Sequence, residues 1–159
     1  MRGVEMTMIN NMYQQLSEQS RELISGIPYL TANLANLSAL IYQTLEQINW
    51  AGFYVMEDGQ LVLGPFQGKP ACIVIPLGKG VCGTAAKENR TIVVPDVHAF
   101  PGHIACDGSS RSEIVVPIHH NGNVIAVLDI DSPVEGRFTE EDGAGLERIV
   151  QVIEEWLEQ

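Results

Sequence analysis

Three thiols and three acids are the residues on which chemistry could rest: Cys72, Cys82 and Cys106, and Glu113, Asp129 and Asp131. A nucleophilic thiol can be oxidised to a sulfenic acid and resolved by a second thiol as a disulfide, which an external dithiol then reopens. An odd number of cysteines in a reducing compartment argues against a structural disulfide framework. Their spacing fits no zinc-ribbon pattern. The plain alternative, that all three are small core hydrophobes, stays open at this level. Cys82 opens a short expected helix, where the N-terminal dipole favours thiolate. Cys106 stands beside Asp107 and within reach of Glu113, which disfavours thiolate. A cationic ligand seated among the acids would relieve that conflict.

The acids gather because of strand alternation. In "SEIVVPI", Ile114, Val116 and Ile118 share one face, and in "VIAVLDID" Val124, Ala126, Leu128 and Ile130 share one face. Both sets are apolar and even-numbered, so one continuous core face requires even residues to pair with even. The odd face, expected to lie away from the core, then carries Glu113, Val115, Pro117, Val127, Asp129 and Asp131. A two-residue Asn121-Gly122 turn would break that match. A three-residue loop, His120-Asn121-Gly122 with Gly122 left-handed, would restore it. The acid cluster reads either as a solvated strand end or as a site for an ammonium, a metal, or a carboxyl kept protonated.

Trp50 and Tyr54 share a strand face and could wall a small ligand, though two aromatics four positions apart on one face equally suit a core. His98 and His103 fall in the same loop as Cys106, and His119-His120 sit at a hairpin tip. Neither set matches a common metal template, and there is no EF-hand spacing, so no metal and no cofactor is expected.

The surrounding elements must position these residues. A helix is expected over Asn10–Gln19 with Tyr13 and Leu16 inward. A second runs from Thr31 to Gln47, with Leu34, Leu37, Ile41 and Leu45 on one face. "NWAGFYVMEDGQLVLGPF" reads as a hairpin around Asp58-Gly59. "ACIVIPL" is a third strand, "GKGVCGTAAKEN" a glycine turn opening a helix, and "TIVVPDV" a fourth strand. A loop spans residues 96–112, a length that in compact domains points to function or disorder. The second hairpin follows. Thr139-Glu140-Glu141-Asp142 opens a last helix with Leu146, Ile149, Ile153 and Trp156 on one stripe. That order implies an α+β fold, an antiparallel sheet with the N- and C-terminal helices on one face and a ligand pocket on the other. Residues 1–159 are read as one domain, with 1–8 as an extension that can stay disordered.

Composition narrows the function. The net charge is −11, which excludes a general nucleic-acid or anionic-membrane binder, because phosphate contacts need Lys and Arg. The opening residues carry no apolar signal run, and no stretch approaches a membrane span, so a cytoplasmic protein is expected.

The motifs "ANLANLSAL", "NWAGFYV", "FQGKPAC", "GKGVCGTAA", "VVPDVHAFPGHIACD", "SEIVVPI", "VIAVLDIDSP" and "RFTEED", in order from Leu30 to Asp142, resemble the free methionine-(R)-sulfoxide reductases, built on a GAF domain. The resemblance implies an enzyme acting on the free amino acid methionine R-sulfoxide. Cys106 would attack the sulfoxide sulfur and become a sulfenic acid. Cys72 would resolve it, Cys82 would be an auxiliary or alternative redox partner, and thioredoxin would reduce the disulfide. Trp50 and Tyr54 would enclose the methyl-sulfinyl end. Glu113 and Asp131 would activate the sulfoxide, and Asp129 would take the ammonium. A homodimer is also implied. Arg111 departs from the small or polar residues expected there, and solvent is its expected environment. GAF folds also serve as signalling modules, so the cysteine set carries the enzymatic reading. A non-catalytic ligand-binding module and a thiol redox sensor are the competing readings.

Overall fold

Two strand-forming hairpins build the scaffold of the computed structural model, which describes residues 1–103 and 108–159. The elements run α1 (Arg2–Ile24), α2 (Leu30–Thr44), β1 (Trp50–Glu57), β2 (Gln60–Gly68), β3 (Val74–Ile75), α3 (Gly80–Glu88), β4 (Ile92–Val94), β5 (Ser112–His120), β6 (Asn123–Ser132) and α4 (Glu140–Leu157). The strands form one six-stranded sheet in the order β3-β2-β1-β6-β5-β4, every pairing antiparallel. The α+β class therefore holds. Residues 1–8 are not an irregular extension. Arg2–Met8 form the first turns of α1, because nothing but Gly3 interrupts helix-forming residues there.

One sheet face carries the main core. Ala51 and Phe53 of β1, Ile114, Val116 and Ile118 of β5, and Ala126, Leu128 and Ile130 of β6 meet α1, α2 and α4. The apolar positions expected to point inward, Leu34, Leu37 and Ile41 of α2 and Leu45 just past its end, are all buried. Asp142 closes a capping box with Thr139 and accepts a 2.7 Å hydrogen bond from the Tyr13 hydroxyl. Gly145 lets α1 approach, since a Cβ there would stand 2.1 Å from the Tyr13 ring.

The second hairpin corrects the expected loop while keeping the register. Asn121 and Gly122 both have positive φ, 52° and 78°, and His120 faces Asn123, so the turn has two residues. The favoured Asn-Gly turn prevails, and a bulge between Ile118 and His119 absorbs the odd residue. Beyond it, Ile118 faces Ala126, Val116 faces Leu128 and Ile114 faces Ile130. Val124 lies on the turn side of the bulge and packs into the opposite core, unlike its expected companions.

The odd face is not solvated either. Val115 and Val127 are fully buried in a second cluster with Trp50, Tyr54, Leu61, Ile75, Val81, Ala85, Ile92 and Val97. Helix α3, small-sided at Gly80, Gly83, Ala85 and Ala86, lies close over this face. A Cβ on Gly83 would stand 2.4 Å from the Pro76 carbonyl oxygen. Strand β3 is shorter than "ACIVIPL" suggested. Among the described residues no helix is long and apolar enough to cross a membrane.

Candidate active site

Register brings the acids together. Glu113 of β5 faces Asp131 of β6, which in turn faces Trp50 of β1. One row on, Val115 faces Asp129, which faces Gly52. Glu113, Asp129, Asp131, Trp50 and Tyr54 therefore project from one face, and all five line a single cavity of about 50 Å³. Cys82 lines it from the first turn of α3. Ser110 and His103 close it from the two described shoulders of the 96–112 loop.

Burial decides the protonation of this set. Glu113 and Asp129 are only 7% and 5% exposed. Burial first, then the neighbouring Asp129 and Asp131 charges and hydrogen bonds, push the Glu113 carboxyl well above the ordinary carboxylate range. Asp129 is also raised by burial, but hydrogen bonds from Glu113 and Cys82 pull the other way. The same bond raises Glu113 and lowers Asp129, so the shared proton rests on Glu113 and Asp129 is the acceptor. Among the described residues nothing donates to the buried Asp129 Oδ1. A cationic donor entering the cavity would meet an acceptor already desolvated.

Cys82 departs from its expected state. It is buried, 3% exposed, and its thiol is free. Burial, followed by the Asp129, Glu113 and Asp131 charges, pushes it well above the usual thiol range. The dipole of the nine-residue α3 is outweighed by desolvation and three acids, so Cys82 is a protonated donor to Asp129. Cys72 is half-buried and disulfide-bonded. Its backbone carbonyl accepts a 2.9 Å bond from the Tyr54 hydroxyl, which ties the Cys72 segment to the cavity wall. Cys106 lies outside the described residues.

The aromatic wall is larger than expected. Trp50 stacks on Tyr54 at 5.9 Å and on Phe66 of β2 at 5.1 Å between ring centroids. Phe66 was not among the expected site residues. Gly52 admits it, because a Cβ there would fall 2.3 Å from the Phe66 Cβ. Trp50 Nε1 donates to the Lys69 carbonyl at 3.1 Å. Core and ligand wall are thus the same residues. Asn49 and Ser110 were also missed: Asn49 Nδ2 reaches the Ser109 and Ser110 hydroxyls, 3.2 Å each, and fastens the loop's far shoulder beside β1. Asn49 opens "NWAGFYV" and Ser110 stands two residues before "SEIVVPI", with no other mark in the sequence. Arg111 turns away from the cavity and pairs with Glu135 at 3.3 Å on the surface.

Cys82, Glu113 and Asp129 offer one ligand atom each within 4.8 Å of one another, the described group best placed to hold a metal ion. Two of these groups are held toward their protonated forms by burial, which a cation would have to reverse. The tip histidines are engaged elsewhere. His119 Nδ1 lies 3.1 Å from Glu154, and its Nε2 contacts Asn89.

An antiparallel sheet with helices on one face and a cavity on the other defines a GAF-type domain, and the GAF domain family model matches residues 31–158. A free methionine-R-sulfoxide reductase of Escherichia coli (strain K12) is 54% identical over 145 residues, covering 91% of this chain and 88% of that protein. A solved fRMsr of Staphylococcus aureus in complex with substrate is 54% identical, with TM-score 0.88, covering 91% of this chain and 95% of that one. A free methionine-R-sulfoxide reductase from Neisseria meningitidis, solved in complex with its substrate, is 40% identical with TM-score 0.90, covering 94% and 90%. This chain belongs to the free methionine-R-sulfoxide reductase family of GAF-domain proteins.

Proposed function

We propose that this protein reduces free methionine R-sulfoxide to methionine. The observation that carries the reading is a buried, protonated Glu113 set against Asp129 and Asp131 in a cavity walled by Trp50 and Tyr54, next to a disulfide-bonded Cys72. Cys106 supplies the thiolate that attacks the sulfoxide sulfur. As the S–O bond weakens, Glu113, with Asp131, delivers a proton to the oxygen on which charge develops. The oxygen passes to Cys106 as a sulfenic acid, and methionine leaves with its sulfur reduced. Cys72 then attacks the Cys106 sulfur, the S–O bond breaks, water departs, and a Cys72–Cys106 disulfide remains. Thioredoxin returns both thiols and is itself oxidised. The Asp129 Oδ1, which accepts from no donor among the described residues, suits the substrate ammonium, a group that methionine inside a polypeptide lacks. Trp50 and Tyr54 enclose the methyl-sulfinyl end.

Cys82 fits this scheme as the hydrogen-bond donor that steadies Asp129 rather than as an auxiliary redox thiol, since attack needs a thiolate. A cytoplasmic, homodimeric protein is part of the same proposal. The test is thioredoxin-dependent consumption of free methionine R-sulfoxide by wild type and by Cys106→Ser. Wild-type turnover that the variant abolishes is expected. Equal rates in the two would sink the reading, and absence of wild-type turnover would leave a binding module or a redox sensor.

A further inference from the structure

The disulfide at Cys72 must be reached from outside, and its surroundings differ from the rest of the molecule. The segment around it presents apolar side chains to solvent: Ile73 is 68% exposed, Val74 44% and Leu77 40%. Val74 belongs to β3, an edge strand with no partner on its outer side among the described residues. Unpaired edges with apolar side chains invite another chain.

Charge singles out the same region. The chain carries a net charge of −11, yet no Asp or Glu occurs between Asp58 and Glu88. All three of its lysines, Lys69, Lys79 and Lys87, fall in that interval. Lys69 and Lys79 are exposed on either side of Cys72 and Leu77. Lys87 reaches back over the intervening turn, its Nζ 3.4 Å from where a Cβ on Gly78 would stand. An apolar, basic collar on an acidic protein is not what solubility alone would produce.

We infer that the Ile73–Leu77 segment, flanked by Lys69, Lys79 and Lys87, is the docking surface for the protein dithiol that reduces the Cys72 disulfide. The partner that fits this collar would present its thiols in an apolar surface ringed by acidic groups. The inference rests on the reductase reading above and adds where the reductant binds and by what chemistry. In the docked pair a partner thiolate attacks Cys72 Sγ, forming a mixed disulfide, and the enzyme's other cysteine leaves as a thiolate and takes a proton. The partner's second thiol, deprotonated, then attacks its own neighbour's sulfur. Cys72 is released and protonated, the enzyme has gained two electrons, and the partner has become the disulfide.

The experiment compares two reductants on the full chain, reduced thioredoxin and dithiothreitol, with free methionine R-sulfoxide saturating. Ile73→Asp and Leu77→Asp should each raise the KM for thioredoxin about tenfold, the scale of losing a desolvated interface contact. Rates with dithiothreitol should not change. Raising the salt should raise the wild-type KM for thioredoxin and not affect dithiothreitol, and Lys79→Glu should reproduce the effect at low salt. Should Ile73→Asp fold poorly, Lys79→Glu, wholly on the surface, keeps the test intact. An unchanged KM for thioredoxin in these variants overturns the docking surface while the reductase reading stands. Wild type inactive with dithiothreitol as well overturns that reading and the docking surface with it.

Discussion

Two buried acids, one on each face of the sheet, are treated in opposite ways. Asp142, on the helix side, is surrounded by donors. It accepts from Tyr13 at 2.7 Å and from the Thr139 backbone at 2.9 Å, with Arg137 at 3.4 Å. Glu113, on the cavity side, is surrounded by acceptors, Asp129 and Asp131, and no cation among the described residues is paired with it. The first arrangement completes hydrogen bonds and locks α1 to α4. The second forces a proton onto a carboxyl and leaves Asp129 Oδ1 with no donor among the described residues. Groups satisfied within the chain stabilise it, whereas groups left to be satisfied by a ligand weaken it and make it reactive.

Substitution separates the two. Glu113→Gln keeps the shape but cannot transfer a proton, so kcat should fall by about 10²–10⁴-fold, the usual range for a lost general acid. Its melting temperature should not fall, because no favourable charge is removed. An effect confined to KM would reverse the assignment. Asp142→Ala should do the reverse. Removing it strands the Tyr13 hydroxyl and Arg137 and opens the α4 cap, destabilising the fold by about 3 kcal/mol. Activity per folded molecule should stay near wild type. Denaturant midpoints measured beside kcat distinguish the two outcomes, and a large kcat loss in Asp142→Ala would collapse the contrast.

That contrast was partly legible beforehand. Alternation alone put Glu113, Asp129 and Asp131 on one face, because the period of a strand cannot be evaded over seven residues. It did not reveal that the face is buried. Val115 and Val127 interleave with acids, and an acid every second residue reads as solvent-facing unless another element covers it. The cover is α3, whose glycines and alanines carry little hydrophobic pattern. The same oversight misjudged Cys82: the dipole was visible in the sequence, while the burial that overrides it was not. The Asn121-Gly122 turn shows a different limit. Turn chemistry and register made conflicting demands, and the bulge that reconciles them has no local signature. Phe66 enters the site only through the Gly52 gap, a cross-strand fact.

The smallest expected effect is the pH dependence of stability, and it discriminates between the faces most finely. Unfolded, Glu113 loses its proton near the ordinary carboxyl value of 4.5. Folded, it keeps the proton to a higher pH. Between the two values the native state binds more protons than the unfolded one, so stability falls as pH rises through that window. Below the lower value both states are protonated and the penalty vanishes. Asp129, raised in the same direction, contributes with the same sign. Glu113→Gln removes the Glu113 share, so its stability advantage over wild type should grow from about pH 4.5 upward. Asp142→Ala should instead lie below wild type. Chemical unfolding at a series of pH values measures both. A Glu113→Gln difference that is flat with pH would mean Glu113 is no harder to ionise in the fold than out of it. The protonated acid at the centre of the cavity would then be lost, and with it the reason that face is less stable than the other.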